Sequence, residues 1–164
     1  MSELINKISS YNFFNYLLPG VIYVVLIENT TTYKILQENM IVNAFLVYFI
    51  GLVISRVGSL LIEHLLQKIA PHEEYKDFIS ACQQDSKIEM LSEVNNMYRT
   101  FISLFIVLFC SEIYIVITSC FSLSVKTNIN IVACILILLF ILSYRKQTIY
   151  ITKRIKLVNK KDSK

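Results

Sequence analysis

Glycine occurs three times and proline twice in 164 residues, which excludes collagen-like repeats and low-complexity disorder. Charge is scarce as well: 17% of the residues are Asp, Glu, Lys or Arg, where a soluble domain carries roughly 25%. The four cysteines, Cys82, Cys110, Cys120 and Cys134, show no C-x-x-C spacing, so neither a disulfide framework nor a zinc site is indicated. Three of them sit in apolar runs, where a free thiol behaves as a small hydrophobe. His64 and His72 are the only histidines. Zinc chemistry needs at least three protein ligands in a defined geometry, so Glu63–His64 and the stretch HEEYKD do not read as a metal site. No G-x-S-x-G, Walker loop or dinucleotide fingerprint occurs, and no repeat at a solenoid or propeller period. Neither a cofactor nor enzymatic activity is expected.

What the chain does have is apolar length. Its hydrophobic content is 55% and its mean hydropathy +0.56. A membrane helix needs about 20 mostly apolar residues, and four segments supply them: 11–29, 40–61, 100–125 and 128–144. The fold expected is therefore all-α, a single polytopic membrane domain over 1–164 with four transmembrane helices. Pro19 and Gly20 interrupt the first span, and a kink is expected there because proline removes a backbone donor and clashes with the preceding turn. Lys7 and the run Phe13–Ile27 imitate a signal peptide, but the following ENTTTYK has no small-x-small cleavage site. The segment is expected to stay as a span.

Orientation follows from lysine and arginine in the short flanks. The connection between the second and third spans carries Lys68, Lys76, Lys87 and Arg99, and the tail 145–164 carries Arg145, Lys146, Lys153, Arg154, Lys156, Lys160, Lys161 and Lys164. The other two connections hold only Lys34 and Lys126, and Lys7 lies on the basic side. Both termini are thus expected in the cytoplasm. The net charge of +4 reports this topology before it reports any nucleic-acid partner, and none is expected.

The stretch FIGLVISRVGSLLIEHLL raises a sharper question, since Arg56, Ser59 and Glu63 break a membrane-grade run. On a regular helix Gly51, Ser55, Ser59 and Glu63 recur every fourth residue and share one face, with Arg56 nearly aligned to Glu63. Small residues in that register let another helix approach closely. Counted from Met40, Arg56 lies roughly 24 Å along the helix, near the inner interface. Either it snorkels to lipid headgroups while Glu63 is already in water, or it pairs with an acid on a neighbouring helix. The candidate acid is Glu112, about 18 Å up the third span and close to the bilayer midplane. An unpaired carboxylate there costs several kcal/mol. Glu112 is thus neutral, hydrogen-bonded across a helix interface, lining a wet cavity, or paired with Arg56. The fourth span, INIVACILILLFILSY, shows no polar face and is expected to meet lipid.

The connection 68–99 reads as two short helices folded against each other. Pro71 suits a first helical position, Tyr75, Phe78, Ile79 and Cys82 follow at helical spacing, and Ser86-x-x-Glu89 has the form of a capping box. Glu73, Glu74, Asp77, Asp85, Glu89 and Glu93 make its outer surface acidic, either a solvated face or a dock for a cytoplasmic protein partner. In the tail, Tyr144, Thr148, Ile151, Ile155 and Val158 form one stripe among basic residues. Arg145, Lys146, Lys153, Arg154 and Lys156 are expected to meet lipid headgroups.

The elements YNFFNYLLPG, GLVISRVGSLLIEHLL and NNMYRTF together resemble a bacterial family of small four-span inner-membrane proteins of unassigned biochemistry. The layout is also similar to membrane effectors of anti-phage defence systems. Small multidrug exporters have four spans and a buried glutamate too, but theirs lies in the first helix and Glu112 in the third. Three functions follow as expectations. One is a homo-oligomer built through the second and third spans that forms a pore or perturbs the membrane, with Arg56 and Glu112 lining or gating it. Another is a membrane anchor that binds its partner through 68–99. The third is a small transporter using Glu112 as a proton site.

Overall fold

The computed structural model describes residues 11–71 and 73–162; Lys7, His72 and Lys164 lie outside the described residues, as do the side chains of Lys160 and Lys161. Among the described residues the chain is all-helical, without a strand. Four helices are long and apolar enough to cross a membrane: α1 (Phe13–Thr30), α2 (Met40–Leu66), α4 (Lys87–Cys120) and α5 (Val125–Asp162). A short helix, α3 (Tyr75–Gln84), lies between α2 and α4.

Two of the helices contain a widened, π-type turn. In α1 it covers Phe13–Leu17, immediately before Pro19, where the backbone donor is missing. The interruption expected at Pro19–Gly20 takes this form, and the helix continues through both residues, which are buried. In α2 the wide turn covers Gly58–Ile62, and the N–H of Glu63 donates five residues back to Gly58. One extra residue in a turn rotates everything after it. Gly51, Ser55, Ser59 and Glu63 therefore do not share one face: the stripe splits at Gly58.

The core is a triangle of α1, α2 and α4 packed through small residues. A Cβ on Gly20 would fall 1.9 Å from the Val47 carbonyl oxygen, and one on Gly51 only 1.7 Å from that of Tyr16. Helices α1 and α2 thus cross backbone against backbone, a distance only glycine permits. Between α2 and α4, Gly58 faces Ser103, and the Ser103 hydroxyl donates to the Ile54 carbonyl at 2.8 Å in the buried interior. Asn15, Ser55, Thr100 and Ser103 are buried beside Val24, Ile54 and Leu104. The Thr100 hydroxyl donates to Asn96 O at 2.8 Å and lies 3.3 Å from Asn15 Oδ1, so Asn15, Thr100 and Ser103 all find polar partners within the bundle. The Gly51–Ser55 surface is accordingly consumed inside the chain.

Loop and cap chemistry fixes the helix ends. Asn39 caps α2 by accepting from Ile41 and Val42. Glu28 accepts the N–H groups of Ile35 and Leu36 and holds the preceding connection. At the start of α4 the expected capping box is not formed. Ser86 is already helical and caps nothing, while Asp85, in extended backbone, accepts the Lys87 N–H at 2.9 Å. Helix α4 ends at Cys120, short of the boundary at 125 read from the sequence. Ser122 turns left-handed with φ 48°, and the N–H groups of Ser122 and Leu123 bond back to Ser119 and Thr118. This is a Schellman stop with serine where glycine is usual, so the sequence carries no breaker signal.

Helix α5 is peripheral. Only 6% of its most apolar window is buried, against 33% for α2. It continues without a break for 38 residues, about 57 Å, so the tail from 145 onward prolongs the fourth apolar helix in one piece. Its attachments are few, among them the Phe140 ring 6.2 Å from Phe49 and the charge cluster described next.

Candidate functional site

Past the wide turn of α2, Glu63 is carried to the meeting point of three helices. Its Oε2 accepts from Arg99 of α4 and, at 3.1 Å, from the ammonium of Lys146 on α5. All three side chains are largely shielded, with 19%, 15% and 21% of their surfaces exposed. Lys146 also donates to the Ser59 hydroxyl at 3.0 Å and to the Ser59 carbonyl, and lies 5.8 Å from the Tyr150 ring centroid. One carboxylate thus ties α2, α4 and α5 together at the same end of the bundle.

Arg56 joins this cluster from about two turns before Glu63, closer to the middle of α2. Its Nη2 donates to the Tyr16 hydroxyl of α1 at 3.3 Å, and its Nε is buried without a partner. Counting Arg56, Arg99 and Lys146 against Glu63, the cluster carries an excess of positive charge. Glu93, which acts with Arg56 and Arg99 on Tyr11, reduces that excess without cancelling it. The electrostatics are felt locally. Burial lowers the proton affinity of the Lys146 ammonium below the ordinary lysine value; Glu63 opposes that, and Arg99 and Arg56 add to it. Burial likewise pushes the Tyr150 phenol up, with Glu63 adding to the effect.

Beside the ion pairs a small cleft opens between α2 and α5, lined by Arg56, Ser59, Leu60, Ser143, Lys146, Gln147 and Tyr150. It offers about 30 Å³, where one water needs at least about 10–15 Å³. The Ser143 hydroxyl is buried there without a hydrogen-bond partner.

The placement of the residues singled out from sequence is mixed. Ser59 and Glu63 are in the cluster, but as polar partners of α5 and α4, and Glu63 is ion-paired with Arg99 and Lys146, where free water was one of the readings open to it. Lys146 is turned inward, away from the lipid-facing role expected of it, while Arg145, Lys153, Arg154 and Lys156 are exposed. Arg56 and Glu112 are not brought together. Gly58 and Ile54 contact Ser103, which puts Arg56 near that level. Glu112 stands nine residues farther along α4, about 14 Å away along the axis. Glu112 is half-buried and makes no hydrogen bond or ion pair among the described residues. Arg99, Tyr16 and Ser143 were not anticipated from sequence. Helix direction was the available signal for Arg99 and Lys146: with α2 descending and α4 ascending, Glu63, Arg99 and Lys146 fall at one depth.

The apolar stripe of α3 is half-covered by the chain itself, with the Tyr75 ring centroid 5.3 Å from that of Tyr150 and the ring planes tilted by 47°. Among the described residues no group of three or more His, Cys, Asp or Glu side chains is placed to hold a metal ion. Compared with family models, curated proteins and solved structures, the chain matches none of them.

Proposed function

We propose that this chain is a multi-pass protein of the bacterial inner membrane, with both termini cytoplasmic, that assembles with copies of itself into a pore-forming or membrane-perturbing effector. The observation that carries the reading is Glu112. Phe105, Phe109, Glu112 and Val116 fall on one stripe of α4, and its apolar members are 57%, 64% and 62% exposed. An ionisable group in the apolar middle of a membrane helix ordinarily faces a partner or a wet cavity. Among the described residues Glu112 has no such partner, so a neighbouring copy is the economical source.

The small-residue face of α2 is occupied inside the chain, which moves the oligomer interface from α2 to the outer faces of α4 and α5. In such an assembly the Glu112 carboxyls line or seal a shared path, and the charge cluster holds each bundle at its cytoplasmic end. The similarity of layout to membrane effectors of anti-phage defence agrees with this reading. The anchor reading is weakened by α3, whose apolar stripe is already half-covered and leaves only its acidic side to dock a partner.

The test is ion leakage from vesicles holding the purified protein, compared with Glu112→Gln after insertion and oligomer size are shown to be equal. Leakage that falls to background in the variant supports the proposal. Equal leakage removes Glu112 from the path, and no leakage from either form across varied pH and voltage sinks the effector reading.

A further inference from the structure

We infer that the cleft between α2 and α5 is a binding site for a single phosphate group, supplied by a phospholipid headgroup or by free phosphate. Four observations converge on that chemistry. Buried polar groups are normally hydrogen-bonded, yet Arg56 Nε and Ser143 Oγ are buried without partners, and both residues line this cleft. The lining is rich in donors, from Arg56, Ser59, Ser143, Gln147 and Tyr150, and contains no carboxylate.

The charge is right as well. Lys146 spends its three protons on Glu63 and Ser59, so it contributes positive potential more than a free donor. Arg56 supplies what lysine cannot, a planar fork matched to two oxygens of a tetrahedral oxyanion. Size is compatible with the guest: the cleft offers about 30 Å³, more than a single water needs.

Position admits both sources. Ser143 and Lys146 follow directly on the last apolar run of α5, which ends at Leu142. That is the level at which headgroup phosphates meet a membrane helix, and basic pockets between helices on the cytoplasmic side are known binding sites for anionic headgroups. Free phosphate reaches the same level from the cytoplasm.

The full chain, purified in a non-ionic sugar detergent, is titrated with sodium phosphate against sodium chloride at matched ionic strength. It is titrated separately with phosphatidic acid against diacylglycerol, the same lipid without its phosphate. Saturable stabilisation, read as a rise in Tm, is expected in at least one arm. A rise in both means the site accepts either source; with phosphatidic acid alone the ligand is a headgroup, and with phosphate alone it is the free ion.

Ser143→Leu fills the cleft and is expected to abolish the effect. Arg56→Gln weakens binding about tenfold or more, the value of a charge-assisted hydrogen bond. Lys126→Gln, exposed at the other end of α5 and outside the cleft, leaves binding unchanged. If Arg56→Gln does not fold, Ser143→Leu carries the test, because the Ser143 hydroxyl has no hydrogen-bond partner among the described residues. No stabilisation in either arm, or Ser143→Leu binding like the parent, overturns the site and leaves the cleft to water. The measurement needs no pore activity, so it stands apart from the leakage experiment.

Discussion

At the scale of single residues, three glycines in similar helical settings do different work. Gly20 and Gly51 face carbonyl oxygens of the neighbouring helix, which cannot move without moving the helix. A Cβ on Gly58 would fall 3.2 Å from the Ser103 Cβ, a crowding that a shift of a few tenths of an ångström relieves. Gly51→Ala is therefore expected to destabilise the bundle by about 1–3 kcal/mol or more through overpacking. Gly58→Ala should change stability by less than about 1 kcal/mol, since alanine's better helix propensity offsets a mild crowding. Thermal unfolding of the two variants in detergent, measured side by side, checks the ordering. A Gly51→Ala protein as stable as its parent would mean that α1 and α2 do not cross at that point.

At the scale of elements, the wide turn Gly58–Ile62 decides where Glu63 points. Removing Leu61, which is exposed, should restore a regular turn and swing Glu63 by about 100°, away from Arg99 and Lys146. The deletion is expected to lower Tm, as Glu63→Gln does by leaving two shielded cations uncompensated. Adding Glu63→Gln to the deletion should then cost little more, because the interaction is already gone. Additive losses in this double-mutant cycle would show that the turn and the ion pairs act independently. Helix α5 should respond most, since Lys146 is among its few attachments, and hydrogen exchange along Val125–Asp162 would register its loosening.

At the scale of the whole molecule, an uneven distribution of burial stands out. Helices α1, α2 and α4 share a polar-seamed core, whereas α5 and the outer stripe of α4 remain uncovered. A lipid environment would satisfy the apolar part of that surface but not Glu112. If copies meet there, Phe105→Ala combined with Phe109→Ala should shift the detergent-corrected mass toward the 19.0 kDa monomer while leaving Tm of the bundle nearly unchanged. An unaltered oligomer would move the interface to α5, and a monomeric parent protein would remove the basis of the proposed assembly.

The helical class and the four long apolar helices were legible in the sequence, because sustained apolar length with scarce charge, glycine and proline leaves few alternatives to helix. The kinship of Ser59 and Glu63 with Arg99 and Lys146 was only half legible. A helical wheel assumes a constant 100° per residue, and the wide turn at Gly58–Ile62 breaks that assumption without any proline to announce it. The stop at Cys120 was hidden for a similar reason, since a serine takes the left-handed position that glycine usually marks. By itself the sequence determined element type and length, which depend on local periodicity. Only the tertiary structure decided the partners: Glu63 with Arg99 and Lys146, Arg56 with Tyr16, and Glu112 with no polar partner among the described residues. Those choices depend on the rotation and depth of one helix against another, and a single extra residue in one turn is enough to reset them.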